Sequence, residues 1–456
     1  MTTPDRSLEL TSEVPQPGPV PRLRVGRPTR ARLDEGLDVM VLARPSVPRV
    51  ELRLSLPAGS AIGGSSAASA LLRAGILLGT RELNQEEVSE SIQRLGGSLQ
   101  VHQDHDRIHI SASALSEAEA ELYHLVCQIT TQPAFPQEEL ETERVKLIEG
   151  LRIARATPQF PAEEELQQII YGSHPYGRPE PPESAIRKTT RRQLRELHRA
   201  TFLPSSGQLT VVGDVEPRRT VARLRRAFAA WTGPRRTVRV PRVHPKNDSR
   251  VTFIDRPGLV QTVILTGASG PPVGHPDQIP LALASAVLGG SFSSRLMSNL
   301  REDKGYTYSP HTMTVSHIRD SLVGAALDVR TEVTAAAFVE LAYELGRLAT
   351  VEVGQDELEQ TRNYLAGVRV IFLQTQAGLA SSLAQVRAYG LDHRYLEGYA
   401  DRLAAVSPTQ LRQVAARYLS PASVTTVMVG DATQAGEALG RVVPVRYRGR
   451  RRAGTA

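Results

Sequence analysis

Runs rich in β-branched and other apolar residues over 50–56 and 260–267, and again over 97–115 and 321–329, predict β-strands. Apolar positions spaced three and four apart predict helices over 86–95, 117–130, 138–153, 335–350, 355–371 and 408–418. Thr190 and Ser407 stand where N-caps belong. Strands come in neighbouring pairs and helices follow in runs. The pattern therefore predicts a mixed α/β chain of α+β type, with mainly antiparallel sheets carrying helices on one face.

The pattern also repeats. Leu209-Thr210-Val211-Val212-Gly213-Asp214 recurs as Thr426-Val427-Met428-Val429-Gly430-Asp431, and Gln137-Glu138-Glu139-Leu140 recurs as Gln355-Asp356-Glu357-Leu358. The offsets, 217 and 218 residues, agree across two separate segments, so the chain is read as two tandem homologous units. Proline-rich stretches frame them. Residues 1–22 read as a disordered lead-in, 23–231 as the first unit, 232–250 as a linker, 251–440 as the second unit and 441–456 as a basic tail.

Composition narrows the function. Of 456 residues 40% are hydrophobic, and no apolar run is long enough to span a bilayer, which points to a soluble, cytoplasmic protein with no membrane association. The net charge of +7 falls to +2 without the five arginines of the last eleven residues, so the body gives no reason to expect nucleic acid as a partner. A single cysteine, Cys127, excludes disulfide frameworks and cysteine-clustered metal sites, and its apolar helical setting indicates burial. His102, His105 and His109 are the only close histidine cluster. On one continuous strand His102 would face away from the other two, and His105 and His109 would lie roughly 13 Å apart, so they read as surface histidines and not as metal ligands. H-E-x-x-H, H-x-x-E-H, G-x-S-x-G, P-loop and dinucleotide motifs are all missing.

Three segments carry a resemblance. Asp255-Arg256-Pro257-Gly258, Leu288-Gly289-Gly290-Ser291-Phe292-Ser293-Ser294-Arg295-Leu296 and Asn299-Leu300-Arg301-Glu302-Asp303-Lys304-Gly305-Tyr306-Thr307-Tyr308 resemble the second half of pitrilysin/insulinase-type (inverzincin) metallopeptidases, of the two-subunit processing-peptidase branch. Tyr171-Gly172-Ser173-His174-Pro175-Tyr176-Gly177, Val212-Gly213-Asp214 and Gly79-Thr80 agree with the first half. The resemblance spans about residues 35–440 and implies a clamshell-type half built from the two units.

In that family a helix ending at Gly79-Thr80 carries H-x-x-E-H, and a further glutamate follows about 76 residues on. Aligned on Gly79-Thr80, the histidine positions hold Ala70 and Ala74, the base position holds Arg73 and the distal ligand position holds Gly150; Glu143 remains seven residues earlier. Alanine and glycine offer no lone pair and arginine stays cationic, so no zinc, and no other cofactor, is expected on this chain. Arg73 is expected to pair instead with Glu143.

Arg301 and Tyr308 match the family's substrate-binding arginine–tyrosine pair, whose donors suit the negative charge that amide cleavage develops on the carbonyl oxygen. The plainer reading makes Arg301 a surface ion-pair residue beside Glu302 or Asp303, and Tyr308 a strand-face aromatic. The resemblance implies a chain that is not catalytic alone. It would be the inactive subunit of a heterodimeric zinc metalloendopeptidase for peptide processing, with the zinc on a homologous H-x-x-E-H-bearing partner. The alternative is a purely structural subunit, or a peptide-binding homodimer, with no proteolytic role.

Overall fold

The computed structural model describes residues 18, 23–235, 240–246, 248 and 250–449; most of the lead-in and the last seven residues of the basic tail lie outside the described residues. Two six-stranded sheets form the frame. The first contains β1 (Thr29–Arg32), β2 (Asp38–Ala43), β3 (Arg49–Leu56), β4 (Ser98–Gln103), β5 (Ile108–Leu115) and β6 (Gln208–Gly213), in the order β1-β2-β6-β3-β5-β4. The second contains β7 (Val251–Asp255), β8 (Gln261–Gly270), β9 (His311–Ser316), β10 (Ser321–Arg330), β11 (Thr425–Gly430) and β12 (Val445–Arg448), in the order β12-β7-β11-β8-β10-β9. Pairing is antiparallel except for β2 with β6, and for β7 with both β11 and β12.

The first half contributes helices α1 (Ser66–Gly75), α2 (Gln85–Arg94), α3 (Glu119–Thr131), α4 (Gln137–Ala156), α5 (Gln159–Tyr171), α6 (Glu183–Lys188), α7 (Arg191–Thr201) and α8 (Pro217–Ala227). The second contributes α9 (Gln278–Gly289), α10 (Thr334–Thr350), α11 (Gln355–Gln374), α12 (Gln376–Ala388), α13 (Arg394–Glu397), α14 (Tyr399–Ala404), α15 (Pro408–Tyr418) and α16 (Ala432–Gly440). Thr190 caps α7 and Ser407 caps α15, each in a reciprocal capping box with a glutamine three residues on. The repeat is visible in these elements: α4 and α11, each 20 residues long, start 218 residues apart, and β6 and β11 start 217 apart.

The expectation of helices on one sheet face needs correction. Along β2, Val39 and Val41 enter the core under the first half's own helices, while Met40 and Leu42 point the other way. That second face is covered by α12 of the second half, through Leu379, Leu383 and Val386. Reciprocally, α5 of the first half lies on the second sheet, where Ala162, Leu166 and Ile170 meet Val263, Leu265, Val427 and Val429. Gly267 in β8 permits the close approach, since a Cβ there would sit 3.1 Å from Leu166 Cδ2. The near-continuous apolar run of β2 is what a strand buried on both faces looks like.

A further expectation changes. Residues 97–115 form a hairpin and not one strand: Asp104 Oδ1 accepts from the backbone N–H of Asp106 and Arg107, both at 2.7 Å, and turns the chain. Within the basic tail, β12 adds an edge strand to β7 and Arg448 reaches Glu165 of α5 at 2.6 Å. The described part of the linker is also seated. Val240 is buried against α5, and Lys246 N–H donates to Ile170 O at 2.8 Å. No helix of the described residues is long and apolar enough to cross a membrane.

Candidate functional site

Helix α1 is positioned by its ends. Ser65 accepts from Ala68 N–H at the start, and the turn at the far end has Gly79 at φ +128° with Thr80 Oγ1 accepting from the N–H groups of Glu82 and Leu83. Leu71, Leu72 and Ile76 anchor it in the core, and Ser69 receives Gln103 Nε2 at 2.8 Å. The opposite face looks onto a cavity of about 340 Å³, where Ala70 and Arg73 are joined by Leu147 and Leu151 of α4 and by Glu163 and Glu164 of α5. Asp104, His105, Arg178 and Glu180 complete its polar wall. Ala74 and Gly150 sit on the same two helices but do not line this cavity.

This donor set does not fit zinc. The aligned positions supply two methyl groups, a hydrogen and a guanidinium, and among the described residues no group of three His, Cys, Asp or Glu side chains is arranged to hold a metal. The expected Arg73–Glu143 pair does not form. Glu143 Oε1 accepts from Lys146 Nζ at 2.7 Å, one turn along α4, a nearer cation than any on α1. Arg73 acts on Glu180 instead. Loss of water at the cavity raises the Glu180 carboxyl, Glu164 adds like-charge repulsion, and Arg155 and Arg73 pull in the opposite direction.

Arg301 and Tyr308 belong to a different part of the molecule, and every residue lining the α1 cavity comes from the first half. Arg301 lies in a π-helical turn, Met297–Asp303, that follows α9. Met297 and Leu300 are buried beneath it, Asn299 Nδ2 donates to Glu340 and Glu344 of α10, and the nearby Arg295 forms two 2.8 Å bonds to Glu357 of α11. Gly305, at φ +63°, reverses the chain in a conformation that disfavours a side chain. The reversal brings the Tyr308 ring to 4.6 Å from the Arg301 guanidinium carbon, and Phe292 lies at 4.9 Å from the same atom. Both rings are mostly exposed, 79% for Tyr308 and 70% for Phe292. The ion pair anticipated by the plainer reading is also present, Arg301 Nε to Glu302 Oε1 at 3.2 Å.

Sequence reasoning missed Phe292, whose role depends on a loop closing onto Arg301. It also missed the polar seam between the halves. There Asp106 accepts from Tyr176 O–H at 2.6 Å and from the Ile318 N–H at 2.8 Å, while Asp320 accepts from Ser269 at 2.8 Å. His105 packs edge-on against Tyr176 and His317, and Tyr176 stacks on His317. Burial lowers the pKa of His105, takes His317 down to about 4 and lifts Asp320 to about 6. His102 and His109 pair across the hairpin with stacked rings, so the histidine cluster divides between the seam and a strand face. Cys127 is buried as expected, and burial raises its thiol to about 11.

Residues 39–180 match the family model described as Insulinase (Peptidase family M16), and residues 188–365 match that described as Peptidase M16 inactive domain. The chain belongs to this insulinase-like peptidase family, without the family's catalytic motif. It is similar to an uncharacterized zinc protease of Streptomyces coelicolor, at 22% identity over 86% of this chain and 87% of that protein. It is also similar to an uncharacterized zinc protease of Mycobacterium tuberculosis, at 24% identity over 86% and 91%. Among solved structures, a peptidase M16 inactive domain from Pseudomonas fluorescens superposes with a TM-score of 0.83 at 22% identity, covering 89% of this chain and 98% of that one. A protease from Helicobacter pylori gives 0.83 at 19%, covering 89% and 100%.

Proposed function

We propose that the chain is the zinc-less subunit of a two-chain cytoplasmic metalloendopeptidase that processes peptides. Its Arg301 and Tyr308 would contact a peptide held at the H-x-x-E-H site of a homologous partner. The observation that carries this reading is the contrast between the two halves. The zinc positions are replaced by groups that cannot ligate, while Arg301 on its π-helical turn and Tyr308 beyond it are brought together, with the Tyr308 ring open to solvent. A partly exposed guanidinium beside an exposed phenol can donate to a peptide carbonyl and to the charge that develops on it. The Arg301–Glu302 ion pair is what a structural subunit would also show, and it is the one observation favouring that second reading.

Co-expression with an H-x-x-E-H-bearing homologue, followed by peptidase assay of each chain and of the mixture, tests the proposal. Activity is expected only in the mixture. A partner fully active by itself, unchanged when this chain is added, would leave the structural reading.

A further inference from the structure

Away from α1's cavity-lining face, on the flank formed by α7 and the segments that pack beside it, lies a second cavity of about 520 Å³. Arg195 and Arg199, one turn apart on α7, face Arg81 from the loop after Gly79-Thr80 across this space, with Arg191 a turn further back on the helix. Its deeper wall contains Phe135, Phe202 and Trp231. No aspartate or glutamate lines it among the described residues. The nearest acidic side chains in sequence are committed elsewhere: Glu82 accepts from Gln128 at 2.6 Å, and Glu196 pairs with Arg192.

The guanidinium groups of Arg81, Arg195 and Arg199 have no ion pair or side-chain hydrogen bond with any described residue. Arg191 gives one bond to Ala134 O at 2.9 Å, and its buried Nε has no partner. His198 cannot supply an anion: its Nε2–H donates to Thr130 O at 2.8 Å, and burial lowers its pKa to about 4, so it is neutral. A favourable helix C-terminus accounts for Arg199 but not for Arg81, which lies on another element. Water loss together with Arg191, Arg199 and Arg81 lowers the pKa of Arg195, as a crowd of unneutralised cations should.

We infer that this cavity is a binding site for a compact oligophosphate, free or carried on a nucleotide. The guanidinium fork matches phosphate oxygens in pairs, and the two or three adjoining phosphoryl groups of such a ligand concentrate enough negative charge to satisfy several arginines converging on one space. The cavity volume is of the order that small-ligand sites occupy, about 300–1,000 Å³.

The chain's single tryptophan, Trp231, lies in the wall and reports on the site. Titration of the intact chain with pyrophosphate at fixed ionic strength, read by calorimetry and by Trp231 fluorescence, is expected to saturate at one equivalent. Arg195→Gln combined with Arg199→Gln should weaken binding by about tenfold or more, since charge-assisted bonds are lost. Arg192→Gln, at a residue that pairs with Glu196 and does not line the cavity, should leave binding unchanged. Tighter binding of ADP than of pyrophosphate identifies the nucleotide-borne ligand, and the reverse identifies the free one. The inference is overturned by absence of saturable binding, by equal weakening in Arg192→Gln, by binding that survives in the double variant, or by citrate binding as tightly as pyrophosphate.

Discussion

Ala70 and Arg73 line a cavity beside Ala74 and Gly150, and four substitutions would restore the family's donor types on α1 and α4. Gly150 has open space where a Cβ would extend, with no atom within 4 Å of it. Purified wild-type chain is expected to carry no stoichiometric zinc by elemental analysis. The Ala70→His, Arg73→Glu, Ala74→His, Gly150→Glu variant is expected to acquire about one zinc per chain, removable by chelator. One zinc in the wild type would refute the donor-set argument. At the second site, in the two-chain peptidase proposed above, Arg301→Ala and Tyr308→Phe should leave assembly intact and lower kcat by about 100-fold to 1000-fold, the loss typical of a transition-state donor. Tyr308→Phe is the sharper test because it keeps the ring 4.6 Å from Arg301 and removes only the hydroxyl. Wild-type turnover in both variants, with normal assembly, would remove these residues from the mechanism. The motif spacing around Gly79-Thr80 and Gly305 made these positions legible in the sequence. The stacking of Phe292 on Arg301 was not, because no local pattern records which ring folds over which cation.

At the scale of elements, the exchange of α5 and α12 explains both the successes and the failures of pattern reading. Helices α4, α10, α11 and α15 were readable because one polar face meets water and the periodicity stays clean. Helix α12 was not: Gly378, Leu379, Ala380, Ser382, Leu383 and Ala384 are all buried, and the narrow exposed stripe of Ala377 and Gln385 carries too little polarity to mark a period. Polar groups instead fix α12 on the first sheet. Arg387 Nη1 donates to Leu209 O at 2.8 Å and to Thr210 Oγ1 at 2.7 Å, and Arg53 reaches Ser381 at 3.1 Å. Leu383→Ala empties a fully buried position between α12 and the first sheet and should cost about 2–5 kcal/mol in denaturant unfolding. Thr190→Ala removes a capping box at α7 and should cost about 1 kcal/mol. A smaller loss at Leu383 than at Thr190 would contradict this picture of the exchange.

Across the whole molecule the seam between the halves sets a pH response with two opposing parts. Burial raises Asp320 from 3.8 to about 6, so the folded chain holds a proton that the unfolded chain has released, and stability declines as pH rises through that window. Burial lowers His317 from 6.5 to about 4, so the unfolded chain binds the extra proton, and stability declines as pH falls from near 6.5 toward 4. His105, lowered for the same first reason, adds to the histidine side. The two parts oppose each other between about pH 4 and 6. Asp320→Asn should therefore unmask the histidines: its melting temperature should fall more steeply on acidification than that of the wild type. Parallel melting curves for the two proteins would count against the assignment.

Because each sheet's second face is covered by a helix from the other half, severing the chain between them would not yield two independent domains. Each fragment would bare one side of its sheet, Met40, Leu42 and Val212 in one and Val263, Leu265 and Val429 in the other, and each would carry the helix that its counterpart lacks. Fragments divided at the backbone near residue 235 and produced separately should be insoluble or molten, whereas the same fragments made together should reassemble without a covalent join.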